Sequence, residues 1–260
     1  MRHFFTLLLV SFVVVAHAQF DLGINYMYSS PKGTLGQNIQ PVHSVVISGT
    51  GKLTANPQFL LGGEISFGTY AQQKQSQTYI SPEDGLATTT DVDFSSNIYN
   101  YHLIAGYELT RCTKLVPYVR MKIGASTFGT EIVIQDPGDH DSCSPLDEEN
   151  VFRDVAFSAG AGAGLKIDAG TIFKNVGKGD WWFDFSADYL WGTSLDYINV
   201  KYLNPAEPGP NDFVRAVSAK FVHLHSQHIH EHQIAQVYSS NISLLNFKVG
   251  VVKTFGGCGY

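Results

Sequence analysis

Apolar and polar residues alternate along eight stretches of this chain, each about ten residues long. The first covers residues 20–29, where Leu22, Ile24, Tyr26 and Tyr28 interleave with Gly23, Asn25 and Met27. Period two sends one set to one face of a strand and the other set to the opposite face. The second stretch, 42–53, is the least regular, and the third, 58–70, carries Phe59, Leu61, Ile65 and Phe67 on its apolar face. The others cover 99–109, 118–125, 154–167, 181–191 and 245–255. A bilayer crossing needs about 9–11 tilted strand residues, apolar toward lipid and polar toward a lumen. The pattern therefore predicts an all-β chain: an eight-stranded antiparallel up-and-down transmembrane β-barrel. A further hairpin drawn from 194–240 would make the alternative of ten strands.

The connections support a membrane barrel over a secreted soluble sandwich. Thr54-Ala55-Asn56-Pro57 and Thr110-Arg111-Cys112-Thr113-Lys114 read as short turns, whereas 71–93, 130–150 and 194–240 are long and polar. Outer-membrane barrels have short periplasmic turns and long extracellular loops. Tyr26, Tyr28, Tyr107, Trp181 and Trp191 lie near strand ends, as interfacial aromatic girdles require. Ahead of the strands, Met1-Arg2-His3, an apolar run over 4–15 and Ala16-His17-Ala18 have the form of a secretory signal cleaved after Ala18. The expected organisation is a signal peptide over 1–18 and one barrel domain over 19–260. The run is shorter than the roughly 20 residues of a membrane-spanning helix. A net charge of −6 gives nucleic acid no purchase.

The signal, the alternation and the aromatic-rich last strand, which ends Val251-Val252-Lys253-Thr254-Phe255, together resemble the small OmpA/OmpX-like outer-membrane β-barrel family. The resemblance covers residues 20–255 and is architectural. It implies export to the outer membrane of a Gram-negative bacterium and contact with outer-membrane lipid. The expected role is structural or surface-interacting: a plugged polar interior would support long extracellular loops that meet an unidentified ligand or protein. A small-solute channel or transporter, and a lipid-modifying enzyme sited on the rim, are the alternatives. The chain departs from the family in carrying Gly256-Gly257-Cys258-Gly259-Tyr260 after Phe255.

Candidate chemistry falls in three places. The inward-facing sets contain Glu64, Arg120, Lys122, Asp154, Asp184, Asp188 and Lys248, with His102, Glu108 and Lys166. Eight strands enclose only enough room for side chains, so these charges are expected to pair as a network. Second, His223, His225, His228, His230 and His232 crowd one segment. His228, His230 and His232 share a face of an extended chain, and imidazole suits a divalent transition metal, the one cofactor the sequence suggests. Third, topology puts Cys112 and Cys258 at one end of the barrel and Cys143 at the other, so Cys112–Cys258 is the candidate disulfide against three free thiols. No Gly-x-Ser-x-Gly elbow or phosphate loop is present. An enzyme is not expected.

Overall fold

The computed structural model describes residues 19–80, 87–111, 113–134, 147–173, 177–202, 216–222 and 229–256. In chain order the elements are β1 (Phe20–Pro31), α1 (Gly33–Asn38), β2 (Val42–Lys52), β3 (Phe59–Ile80), β4 (Ala87–Glu108), β5 (Leu115–Ile134) and β6 (Asp147–Asp168). A 3₁₀ turn (Ala169–Thr171), β7 (Trp181–Ile198), a second 3₁₀ turn (Val200–Tyr202), β8 (Ala216–Val222) and β9 (Ile229–Phe255) complete the fold. Neighbours along the chain pair antiparallel from β1 to β7, β7 pairs with β9, and β9 closes the ring on β1. The closure register runs from Phe20 opposite Phe255 to Pro31 opposite Leu244. Eight strands thus form a closed barrel. β8 is a ninth strand that pairs only with the N-terminal part of β9, Val222 lying opposite Ile229. Part of 194–240 is therefore a hairpin outside the barrel wall.

Alternation dictates the radial order. Ile24, Ile47, Leu61, Ile65, Leu103, Met121 and Val249 stand exposed on the outer wall, while Asn25, Glu64, His102, Lys122 and Lys248 beside them are buried in the lumen. Burying apolar side chains in water-surrounded proteins is the rule, so an apolar outside around a charged inside marks a lipid-facing wall. Its height is set by aromatic pairs. Phe59 packs on Tyr107 at the short-turn end and Phe67 on Tyr99 at the other, each with ring centroids 5.0 Å apart. The stretch of β3 from Phe59 to Phe67 matches the about 9–11 residues of a tilted crossing.

The strands do not stop at the outer girdle. β3 continues past Phe67 to Ile80, roughly 40 Å of chain at about 3.3 Å per residue. β4, β5 and β6 accompany it, paired as far as Ile80 opposite Ala87 and Ile134 opposite Asp147. Much of 71–93 and 130–150, expected to be loop, is this projecting sheet. Polar residues such as Lys74 and Asp93, paired at 3.1 Å, occupy strand positions beyond the lipid band, which is why an apolar alternation cannot reveal them. β6 and β7 part company early: their pairing runs only from Asp168 opposite Trp182 to Ser158 opposite Gly192. Above that level β6 follows β5, and β7 follows β9.

Candidate functional site

The lumen is built in layers, and the lowest is apolar. Val116, Trp182 and Val252 form a buried floor near the short turns. The Trp182 Nε1 donates to the carbonyl of Gly179, so its polar edge is satisfied in the connection below.

Above the floor lies a first ionic layer. Lys166 Nζ donates to Asp21 Oδ2 at 2.6 Å and to Glu108 Oε1 at 2.9 Å. Lys52 reaches the other Glu108 oxygen at 2.8 Å, and Thr254 Oγ1 donates to Asp21 Oδ1 at 2.7 Å. Beside it, the Tyr118 hydroxyl donates to Asp184 at 2.6 Å. Asp21 shares the inward parity of Gly23 and Asn25, a signal that could have placed it in this set from sequence. Lys52, on the polar face of the second stretch, completes the layer.

The second ionic layer centres on Glu64, Asp188, Lys122 and Lys248. Lys248 Nζ lies 2.6 Å from both oxygens of Glu64 and 3.2 Å from Asp188 Oδ1. Lys122 Nζ is 2.7 Å from Asp188 Oδ2 and 3.4 Å from Glu64 Oε1. Arg120 joins the two layers: its Nη2 donates to Ser186 at 2.7 Å, and its guanidinium approaches Asp188 at 3.7 Å and Glu64 at 4.0 Å. Asp21, Glu64, Glu108, Asp184 and Asp188 are matched by Lys52, Arg120, Lys122, Lys166 and Lys248, so the charges of the two layers cancel. Between the layers is a cavity of about 30 Å³ lined in part by Tyr118, Arg120, Lys166 and Asp184, large enough to hold water.

Eight of the nine charged residues expected in the interior, Glu108 and Lys166 included, are thereby brought together. Asp154 is not among them. Its carboxylate sits above the point where β6 leaves β7, accepting from the backbone N–H of Val155 and, at 2.8 Å, from that of Asp196. The divergence of β6 from β7 gives it backbone donors in place of an ionic partner.

A neutral polar layer follows. His102 Nε2 and Ser158 Oγ are 2.8 Å apart, Ser126 Oγ donates to Asn100 Oδ1 at 2.6 Å, and Asn100 Nδ2 donates to Ser66 Oγ at 2.9 Å. The adjacent Ser158 and His102 are buried.

The outermost layer is an apolar chamber that strand alternation did not anticipate. Tyr70, Ile98, Phe128, Leu190, Tyr197 and Ile242 line it, and Leu35 of α1 fills it from above with no exposed surface. The 31–41 segment turns inward because Gly33 adopts φ +60°, which side chains disfavour, and because a Cβ on Gly36 would meet the Pro31 carbonyl oxygen at 2.7 Å. Asn38 Nδ2 donates to the Tyr197 hydroxyl at 2.9 Å, and Asn199 Nδ2 donates to the Asn38 carbonyl at 2.6 Å. From β7 the chain crosses the mouth. The Ile198 carbonyl accepts from Tyr70 at 2.7 Å and from Ser96 at 3.0 Å, on the far side of the ring.

Of the histidine tract, His230 and His232 lie in β9, opposite Phe221 and Ala219, two positions apart on one strand, and His228 falls outside the described residues. Cys112, Cys143 and Cys258 fall outside them as well.

No protein-family model and no curated protein matches the sequence. Among solved structures, the chain is similar to Neisserial surface protein A, with 11% identity over 92% of this chain and 98% of that one and a TM-score of 0.38. It is similar to Ail, the attachment invasion locus protein of Yersinia pestis, solved with the heparin analogue sucrose octasulfate (10% identity, 92% and 97% covered, TM-score 0.37). A third likeness is the outer membrane protease OmpT of Escherichia coli (7% identity, 93% and 97% covered, TM-score 0.38). The ring closure, the lipid-facing apolar wall and the aromatic girdles define the architecture in their own right: the chain is an eight-stranded antiparallel outer-membrane β-barrel.

Proposed function

We propose that this protein is a non-conducting membrane anchor that presents its projecting strands and extracellular segments to an extracellular ligand or protein. The observation that carries this reading is the stacking of ionic, polar and apolar layers inside the lumen beneath a sheet that runs on past the outer girdle. An isolated buried charge is costly, so a paired and neutral interior is a stable filling, whereas a pore lining needs solvated charge. The Ser158–His102 pair is buried within the filled lumen, which favours a binding role over a catalytic one.

Refolded protein in planar bilayers tests it. The expected result is silence at moderate voltage, and stepwise ionic currents would favour the solute-channel alternative. An epitope tag at Asp141 is expected to be accessible on intact cells and one at Asn56 only after permeabilisation. The reverse result would place the projecting sheet in the periplasm and end the proposal.

A further inference from the structure

The short-turn end carries a surface that the lumen does not explain. Ile172 and Phe173, just after the first 3₁₀ turn, are 58% and 52% exposed, and Phe173 packs its ring on Phe183 of the lipid-facing wall, 6.2 Å between centroids. Apolar side chains continuous with an aromatic girdle belong in the lipid interface. The connections at the same end carry Arg111, Lys114 and Lys178, all exposed. Their connections are tied into one platform. Asp168 N donates to the Lys114 carbonyl at 2.9 Å, and the Asp168 carboxylate accepts from Gly179 N at 3.2 Å.

The nearby acids are already engaged. Asp168 is buried and spent on backbone donors, and Asp180 pairs with Lys253 at 3.1 Å. Arg111, Lys114 and Lys178 have no carboxylate partner among the described residues. Three uncommitted cations beside immersed apolar side chains complement an anionic headgroup whose acyl chains lie in the same leaflet.

We propose that this rim is a recognition surface for anionic phospholipid of the periplasmic leaflet. Ile172 and Phe173 enter the acyl boundary, and Arg111, Lys114 and Lys178 hold phosphate-bearing headgroups against the short turns. The lipid is recruited by charge and retained by apolar contact, so its affinity is sensitive to salt.

Tryptophan quenching reads it directly. Trp181 lies on the lipid side of this rim, under Lys253 at 5.2 Å, whereas Trp182 is buried. With Trp191→Phe in every protein to silence the outer girdle, the protein is refolded into phosphatidylcholine vesicles. These contain equal fractions of either brominated phosphatidylglycerol or brominated phosphatidylcholine. The expected result is an enrichment of the anionic lipid of about fivefold. It should vanish in Arg111→Ser/Lys114→Ser/Lys178→Ser and at molar salt, and persist in Lys32→Ser/Arg153→Ser, which alters only the opposite end. Equal quenching by the two lipids, or a preference that survives the triple substitution, overturns the proposal. Should the triple variant not refold, the salt dependence of the Trp191→Phe protein decides alone.

Discussion

Among the described residues, the lumen below His102 is filled by strand residues, whereas above it two further segments return to fill it. The lower half uses inward side chains of the barrel strands, held by opposite charge. The upper half is finished by Leu35 from α1 and by the Ile198–Val200 crossing, held by apolar packing and a few hydrogen bonds. Two kinds of penalty therefore guard one barrel. Removing a partner below strands a charge in low dielectric. Removing a filler above leaves a hole.

The largest effect is expected from Lys248→Met, which removes the cation closest to Glu64 and leaves both Glu64 and Asp188 short of a partner. A loss of about 3–5 kcal/mol should appear as a lower urea midpoint of the refolded barrel. An unchanged midpoint would mean that water reaches this layer. Leu35→Ala should cost about 2–5 kcal/mol through the cavity it opens. Replacing 33–38 by two glycines should lower stability yet leave conductance absent, because the ionic layers still fill the lumen. Currents in that variant would show that the upper half is the seal. Arg120→Met comes next at about 1–3 kcal/mol, because its carboxylates stand farther off than those of Lys248. Parity between Arg120→Met and Lys248→Met would dissolve the ranking by distance. Asn38→Ala should be the mildest, about 1 kcal/mol for the bond to Tyr197, measured in the same titration.

The two halves were not equally legible in the sequence. Period two is a property of the strand itself, so Glu64, Arg120, Lys122, Asp184, Asp188 and Lys248 could be set facing inward without knowledge of their partners. Which acid meets which base depends on register around the ring, and no local pattern encodes it. Lys248 and Glu64 are far apart in the chain and share no neighbouring strand. The upper half was hidden for a different reason. Pro31, Gly33 and Gly36 announce a turn, but nothing in a short apolar-poor segment states that Leu35 points into a barrel. Asp154 followed the inward parity of its strand, yet β6 at that height no longer has β7 beside it. Projecting strands went unread because their outer residues face water and not lipid.

That early parting of β6 and β7 has a mechanical consequence. A closed ring of paired strands shares load around its circumference, and its weakest ladder bears the difference. β3 to β6 rise together as one stiff blade, while β7 stays with β9 from Ser194 to Ile198, so the two groups are joined above the membrane without a shared ladder. A force applied to the tip of the blade turns about the Ser158–Gly192 level, where the Asp154 link to Asp196 and the Tyr70 and Ser96 bonds to Ile198 tie the two groups. The barrel below is the fulcrum, and the blade is a lever whose tension reaches the wall at its two edges, where β3 outruns β2 and β6 leaves β7.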